Sequence, residues 1–146
     1  MTITIARSVR SHPESRVDRE FANEARRSAP RTAPLPVVRN LAAAPAWSRG
    51  AVVMIGNFDG FHLGHRALLN KARTVARGRP VAILTPDPHP TCFFAPESAP
   101  FQLSPGRMKL RLFEEAGVDF VFLPRFDRRF AVTTAHQFVN DVLIRA

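Results

Sequence analysis

The sequence predicts an α/β fold in which helices cover both faces of a mostly parallel β-sheet, the doubly wound arrangement. Three continuous apolar segments are typical of strands buried on both faces. Each is followed by a stretch whose apolar residues recur at helical spacing, so that strand and helix alternate three times. A length of 146 residues suits one such domain and leaves little room for a second.

The first predicted strand covers residues 51–55 and is followed by Gly56. A turn over residues 57–60 then leads into a predicted helix over residues 62–77. The apolar positions of that helix recur at spacings of three and four; they are Ala67, Leu68, the stem of Lys71, Ala72 and Val75. This pattern predicts a helix packed by one face against the sheet.

The second predicted strand covers residues 80–84, and the segment 85–101 after it holds five prolines. Because proline lacks an N–H and has a fixed φ, we expect a long loop there, and loops of that length are usually functional or mobile.

Ser104 followed by Pro105 indicates the start of a third helix, with serine as the N-cap, and Gly117 marks its end. The third predicted strand covers residues 118–123. A last helix begins at Thr133 or Thr134, and Gln137 completes a capping box with Thr134.

The composition excludes several classes of protein. No apolar run approaches the roughly 18 residues of a membrane-spanning helix, and residues 1–34 lack the apolar core of a signal peptide. We expect this arginine-rich stretch to be disordered or frayed. A single cysteine, Cys92, excludes an internal disulfide framework and fits a reducing compartment. We therefore expect a cytoplasmic protein without a membrane partner.

The net charge of +9 and the sequence pI of about 11.6 raise the question of nucleic acid. The basic residues are scattered along the chain, and tyrosine, a common base-stacking residue, is absent. We therefore expect no nucleic-acid partner. A basic surface also suits smaller polyanions, including nucleotides.

The segment most informative about chemistry is residues 56–65, Gly-Asn-Phe-Asp-Gly-Phe-His-Leu-Gly-His, at the carboxyl end of the first strand. Open α/β sheets bind ligands at that end, and a helix N-terminus there favours phosphate. Gly56 and Gly60 permit a sharp turn close to a ligand. His62 and His65 fall on one face of the first helical turn, with Gly64 keeping that face open. Two imidazoles so placed can stabilise charge on a phosphoryl group.

This segment is neither a Walker A loop nor a dinucleotide fingerprint. It resembles the His-x-Gly-His signature of the nucleotidyltransferase superfamily, whose fold is a Rossmann-like doubly wound parallel sheet. With Gly-Asn-Phe-Asp-Gly before it, the signature is similar to the adenylyltransferase module of bacterial bifunctional riboflavin kinase/FAD synthetases. Residues 85–90, Thr-Pro-Asp-Pro-His-Pro, are similar to that family's loop after the second strand. The resemblance covers residues 35–146.

The resemblance implies attack of the FMN phosphate on the α-phosphorus of ATP, giving FAD and pyrophosphate, with Mg²⁺ bridging the phosphates of ATP. His62 and His65 would be catalytic, holding the triphosphate and stabilising the transition state. The implied ATP site is shaped by Gly56, Asn57, Phe58, Asp59 and Gly64. The implied flavin side of the site is formed by Pro88, His89 and Pro90. The resemblance implies no protein-bound metal.

The sequence departs from the family pattern in three ways. Pro86 stands where the family has phenylalanine, and Phe61 replaces a small aliphatic residue. The family's later Gly-x-Asp-Phe-x-Phe-Gly and Ser-Ser/Thr-x-x-Arg segments and its riboflavin kinase domain are not found before Ala146. We therefore expect an incomplete module, with a missing C-terminal half, an exposed sheet edge and a tendency to self-associate.

Several other interpretations remain open. The chain is either an active FMN adenylyltransferase, a nucleotidyltransferase with a different acceptor, or a catalytically dead nucleotide-binding fragment. A zinc site built from His62, His65, His89 and Cys92 is a further alternative, as is a pair of exposed helix histidines without a role.

Overall fold

The computed structural model describes residues 33–99 and 101–144. All but the last two residues of the predicted disordered extension, 1–34, lie outside the described residues. Four parallel strands form one sheet in the order β1-β4-β3-β2. The strands are β1 (Val37–Val38), β2 (Val52–Ile55), β3 (Val81–Leu84) and β4 (Phe120–Phe122). The predicted parallel α/β fold is confirmed.

Helices lie between β2 and β3, between β3 and β4, and after β4. They are α1 (Leu63–Ala76), α2 (Pro90–Phe94), α3 (Arg107–Glu115), α4 (Arg128–Ala131) and α5 (Ala135–Gln137), and α5 continues as a π-helical segment, Phe138–Ile144. Short 3₁₀ turns lie at Leu41–Ala43, Ala46–Ser48, Asp59–Phe61 and Pro96–Ser98. No helix among these described residues is both long and apolar enough to cross a membrane.

Each face of the sheet buries its own apolar cluster, which is why the strands are apolar throughout. On one face Met54 and Ile83 pack with Leu69 of α1 and Phe113 of α3. On the other face the cluster holds Ala82, Leu84, Phe120 and Phe122, covered by Phe138, Val142 and Leu143 of the π-helical segment. Both faces are therefore covered, as a doubly wound sheet requires.

Three details differ from the sequence-based expectation. β1 was not predicted, because two valines between Pro36 and Arg39 give no period to detect. The prolines of segment 85–101 do not keep it irregular throughout, since Pro90 starts α2 and Pro96 starts a 3₁₀ turn. Proline suits the first position of a helix, where no N–H is needed.

The third difference concerns the start of α3. The helix begins at Arg107 with Gly106 at the N-cap, two residues later than predicted, and Ser104 does not cap it. The Ser104 hydroxyl is engaged instead by the turn before α1. The capping box of Thr134 with Gln137 at the start of α5 is confirmed.

Candidate active site

The turn between β2 and α1, residues 56–62, is called the histidine loop here. Its backbone has positive φ at Phe58 (49°), Gly60 (67°) and Phe61 (36°). Such angles are unfavourable for phenylalanine, so the surrounding structure must hold them. Both phenylalanine rings are fully buried and contact Phe113 of α3, with ring centroids 6.1 and 5.4 Å apart. Burial of two aromatic rings thus stabilises the strained loop.

His62, at the end of this loop, and His65, in α1, form a stacked pair. His62 immediately precedes α1 and is exposed, whereas His65 lies in the first turn of the helix and is 7% exposed. The ring centroids are 3.8 Å apart and the ring planes differ by 25°. The His65 ring also contacts Phe58 and Phe61 at 5.0 and 5.7 Å. The core therefore fixes His65, and His65 supports the exposed His62 ring.

Burial and the neighbouring His62 lower the pKa of His65, while Asp59 opposes the shift. His65 is therefore neutral at neutral pH. Its Nδ1 atom is buried and has no hydrogen-bond partner within the described part of the chain.

The N-terminus of α1 lies beside this histidine pair. The first N–H groups of an α-helix have no acceptor within the helix, and the helix dipole makes this end positive. The first turn of α1 contains no acidic residue. A Cβ atom at Gly64 would lie 3.1 Å from His62 Cε1 and 3.2 Å from His62 Nδ1. A side chain at position 64 would therefore require the His62 ring to shift by a few tenths of an ångström from its stacked position, beside a helix end suited to an anion.

The two sequence motifs meet at the carboxyl edge of the sheet. The hydroxyl of Thr85, which is fully buried, donates to the carbonyl oxygen of Asn57 at 3.3 Å. Farther along the second motif, the Asp87 N–H donates to the Pro124 carbonyl and the Phe126 N–H donates to the Asp87 carbonyl. The loops after β2, β3 and β4 are thereby joined at one edge, where an α/β sheet binds its ligands.

The remaining predicted residues lie farther along the second motif. Pro88 is exposed, His89 caps α2 by accepting the Thr91 N–H on Nδ1 at 3.1 Å, and Pro90 is the first residue of α2. Sequence analysis missed an aromatic cluster behind them, formed by Phe93, Phe94, Phe126 and Phe130. The adjacent phenylalanines at 93 and 94 were its only sequence signal.

The side chains of Asp59 and Phe58 are turned toward other parts of the protein. The Asp59 carboxylate accepts the N–H groups of Leu103 and Ser104 and the Ser104 hydroxyl. Phe58 supports the loop from beneath. Sequence analysis missed Ser104 as part of this site, because serine before proline is also the usual pattern of a helix start. Among the described residues, no group of three or more His, Cys, Asp or Glu side chains is placed to hold a metal ion.

The family follows from comparison with known proteins. Residues 44–146 match the family model for FAD synthetase. This chain belongs to the FAD synthetase family. It is 46% identical over 110 residues to the bifunctional riboflavin kinase/FMN adenylyltransferase of Escherichia coli (strain K12), covering 74% of this chain and 34% of that protein. The proteins of the same name from Haemophilus influenzae and Bacillus subtilis are 36% identical over 112 residues and 30% identical over 97 residues. These matches cover 75% and 64% of this chain, and 36% and 31% of the two proteins.

The chain of this FAD synthetase family member thus spans about a third of the length of these curated relatives. Among solved structures, a macrolide-efflux protein from Streptococcus pneumoniae superposes with a TM-score of 0.61 at 24% identity. That superposition covers 76% of this chain and 38% of the other, and it shows the shared fold alone.

Proposed function

We propose that the chain carries the adenylyl-transfer site of an FMN adenylyltransferase, which joins AMP from ATP to FMN. The observation that carries this proposal is the stacked pair of His62 and His65 at the open N-terminus of α1, in a chain whose family is FAD synthetase. The bifunctional relatives named above are longer than this chain, and their name includes FMN adenylyltransferase.

In the proposed reaction a phosphate oxygen of FMN attacks the α-phosphorus of ATP. The new P–O bond forms as the bond from the α-phosphorus to the bridging oxygen breaks, and pyrophosphate leaves with the bonding electrons. No protein atom becomes covalently attached, so this chain acts by positioning and charge stabilisation. His62 donates to the phosphate oxygens, and the backbone N–H groups at the start of α1 share that anionic charge.

His65 contributes through its charge state as well as its position. It is neutral without a ligand because burial and His62 lower its pKa. An anion bound at the helix N-terminus favours its protonated form, so negative charge on the nucleotide and positive charge on the pair build up together. Gly56, Asn57, Phe58, Asp59 and Gly64 shape this nucleotide side of the site.

The second substrate is proposed to bind beside residues Pro88, His89 and Pro90, where the loop after β3 leaves the carboxyl edge of the sheet. Mg²⁺ is proposed to enter as the MgATP complex, held by phosphate and water oxygens rather than by a protein cage.

The proposal also covers the organisation of the chain. We assign residues 35–146 to the N-terminal part of the adenylyltransferase module. A hydrogen bond from the Leu35 N–H to the Glu114 carboxylate, 3.1 Å long, supports a boundary near residue 35. We expect a cytoplasmic location and no nucleic-acid partner.

The test is formation of FAD from FMN and MgATP, followed by chromatography, with release of pyrophosphate measured in the same samples. His62→Ala should abolish both products without unfolding the chain, because His62 is exposed. The matched control is His136→Ala, which removes an exposed histidine on α5, away from the histidine loop.

Two other outcomes would replace the proposal. MgATP binding with no pyrophosphate released would indicate a nucleotide-binding fragment without activity. Pyrophosphate release that depends on an acceptor other than FMN would indicate a nucleotidyltransferase with a different substrate. FAD formation that survives His62→Ala would keep the activity but show that His62 is not needed for it.

A further inference from the structure

The Asp59 carboxylate contacts a segment that lies more than forty residues away in the sequence. Asp59 Oδ2 accepts the Leu103 N–H at 2.8 Å. Asp59 Oδ1 accepts the Ser104 N–H at 2.8 Å and the Ser104 hydroxyl at 2.9 Å. Both oxygens are therefore committed to hydrogen bonds from the segment that precedes α3.

Ser104 links the two segments through two side-chain hydrogen bonds. Its side chain is fully buried, and its hydroxyl accepts the Gly60 N–H at 2.8 Å while donating to Asp59. A buried serine with donor and acceptor both satisfied is held in one orientation. The histidine loop is thus attached to residues 103–104 at two consecutive residues, through the Asp59 carboxylate and through the Gly60 N–H.

Close packing reinforces this attachment. A Cβ atom at Gly60 would lie 3.1 Å from Leu103 Cδ1, and the positive φ at Gly60 would strain any side chain placed there. His62 follows Gly60 by two residues. Any shift of the Asp59–Ser104 bridge would therefore move the backbone that sets the position of His62.

The charge of Asp59 explains why such a bridge is needed. Burial raises the pKa of this carboxyl, but the hydrogen bonds from Leu103 and Ser104 and the charge of Lys109 outweigh it, so the pKa is lowered and Asp59 is ionised at neutral pH. A free carboxylate beside a phosphate site would repel the ligand. Three donors from residues 103–104 stabilise this negative charge and occupy both carboxylate oxygens.

We propose that Asp59 is a positioning residue, which holds His62 and His65 in place by fastening the histidine loop to Leu103 and Ser104 and does not itself bind the nucleotide. This inference rests on the proposed function for its ligand, MgATP. Ser104 is a second positioning residue of the same hydrogen-bonded bridge, although it lies outside both sequence motifs.

The test compares Asp59→Asn, Ser104→Ala and the double variant with two matched controls. Ser48→Ala removes another buried serine hydroxyl, one that donates to the Pro45 carbonyl, and Asp119→Asn alters another aspartate that accepts a backbone N–H, from Val81. Thermal unfolding first establishes that each variant folds. Where Asp59→Asn does not fold, Asp59→Glu, which keeps the charge and displaces the carboxylate, takes its place.

The first measurement needs no ligand. The imidazole resonances of His62 and His65 are recorded by NMR, with exposed His136 as the internal reference. We expect them to shift in Asp59→Asn and in Ser104→Ala, to remain unchanged in both controls, and to return toward the wild-type positions in Ser104→Thr, which keeps the hydroxyl. Unchanged His62 and His65 resonances in either single variant would overturn the inference, whether or not the chain binds MgATP.

The second measurement is MgATP affinity by calorimetry. Each single variant should bind about ten-fold more weakly, because a loop that samples other conformations binds in proportion to its competent fraction. The double variant should be no weaker than Asp59→Asn alone, because both changes break the same bridge. Full affinity in Ser104→Ala together with loss in Asp59→Asn would show direct nucleotide contact and overturn the inference. No binding by the wild-type chain would count against the proposed function and leave the NMR result to decide this one.

Discussion

At the scale of single residues, the two histidines of one motif have different surroundings. His62 is exposed and free to meet a ligand, whereas His65 is enclosed by Phe58 and Phe61. A sequence motif gives the two positions equal weight, because spacing alone does not record burial. The structure leaves the His62 imidazole exposed and packs the His65 imidazole against it and against the core.

The lowered pKa of His65 makes the stability of the fold dependent on pH. In the unfolded chain His65 has its ordinary pKa of about 6.5, so below that pH the unfolded state takes up a proton more readily than the folded state. The stabilising contribution of neutral His65 should therefore be complete above pH 6.5. As the pH drops from 6.5 toward and through the lower pKa of the folded state, the free energy of unfolding should fall. Urea unfolding at pH 7.5 and pH 5.5 measures the difference.

Two histidine variants test whether this pH dependence comes from His65. His65→Gln should lose the part that belongs to His65, whereas His136→Gln, which changes an exposed histidine, should retain it. An identical pH dependence in His65→Gln and the wild type would mean that other groups cause it.

At the scale of secondary-structure elements, α1 and α3 are joined by a side chain that completes a helix end. Arg73 of α1 donates through Nη2 to the carbonyl oxygens of Ala116 at 2.8 Å and Gly117 at 2.9 Å. These carbonyls lie just after α3, where a helix has unsatisfied acceptors and partial negative charge. The guanidinium therefore fixes the end of the helix that carries Phe113 under the histidine loop.

Replacing Arg73 with methionine should lower the free energy of unfolding by about 1–2 kcal/mol, because charge-assisted hydrogen bonds are lost while the apolar stem is kept. The matched control is Arg111→Met, which breaks an exposed ion pair with Glu115 within α3 and should cost only about 0.5 kcal/mol or less. Urea unfolding of both variants checks the ranking. Equal effects would mean that the helix end does not depend on Arg73.

Regular elements were predictable from the sequence, whereas the contacts between distant loops were not. The strands β2, β3 and β4 and the helix α1 were found because their apolar periods are long enough to read. The two-residue strand β1 has no period, and the role of Ser104 depends on an aspartate in another loop. Local sequence patterns predict local structure. A hydrogen bond between residues 45 positions apart produces no recognisable pattern in the sequence around either residue.

At the scale of the whole molecule, β2 lies at an edge of the described sheet. The N–H groups of Val52 and Gly56 donate to carbonyls of Pro80 and Leu84 on the β3 side. Because backbone groups alternate along a parallel strand, those of Val53 and Ile55 face away from β3. An apolar cleft of about 80 Å³ lies beside this edge, lined by Val52, Val53, Met54, Leu68, Lys71, Ala72 and Val75.

Such an edge can accept a further strand, so the chain should self-associate as its concentration rises. Val53→Lys should shift the population toward monomer, because a charge on an edge strand blocks pairing and Val53 is only half-buried. Sedimentation velocity measures the populations, and Val132→Lys, at an exposed position outside the sheet, is the control. A monodisperse monomer of the wild-type chain at high concentration would contradict the expectation.

The bridge from Asp59 to Ser104 also has a consequence for the time at which the site forms. The histidine loop and His65 are synthesised by residue 65, but the partners of Asp59 and Gly60 in residues 103–104 lie 44 and 45 residues farther on, and Phe113 farther still. A chain emerging from the ribosome can form β2 and α1 from local contacts, but it cannot set the two imidazoles in register until residues 103–113 have emerged. Contacts of large sequence separation form late in folding. The turn that carries the histidine pair therefore reaches its final conformation only after segments 44 and 45 residues downstream of it have been synthesised.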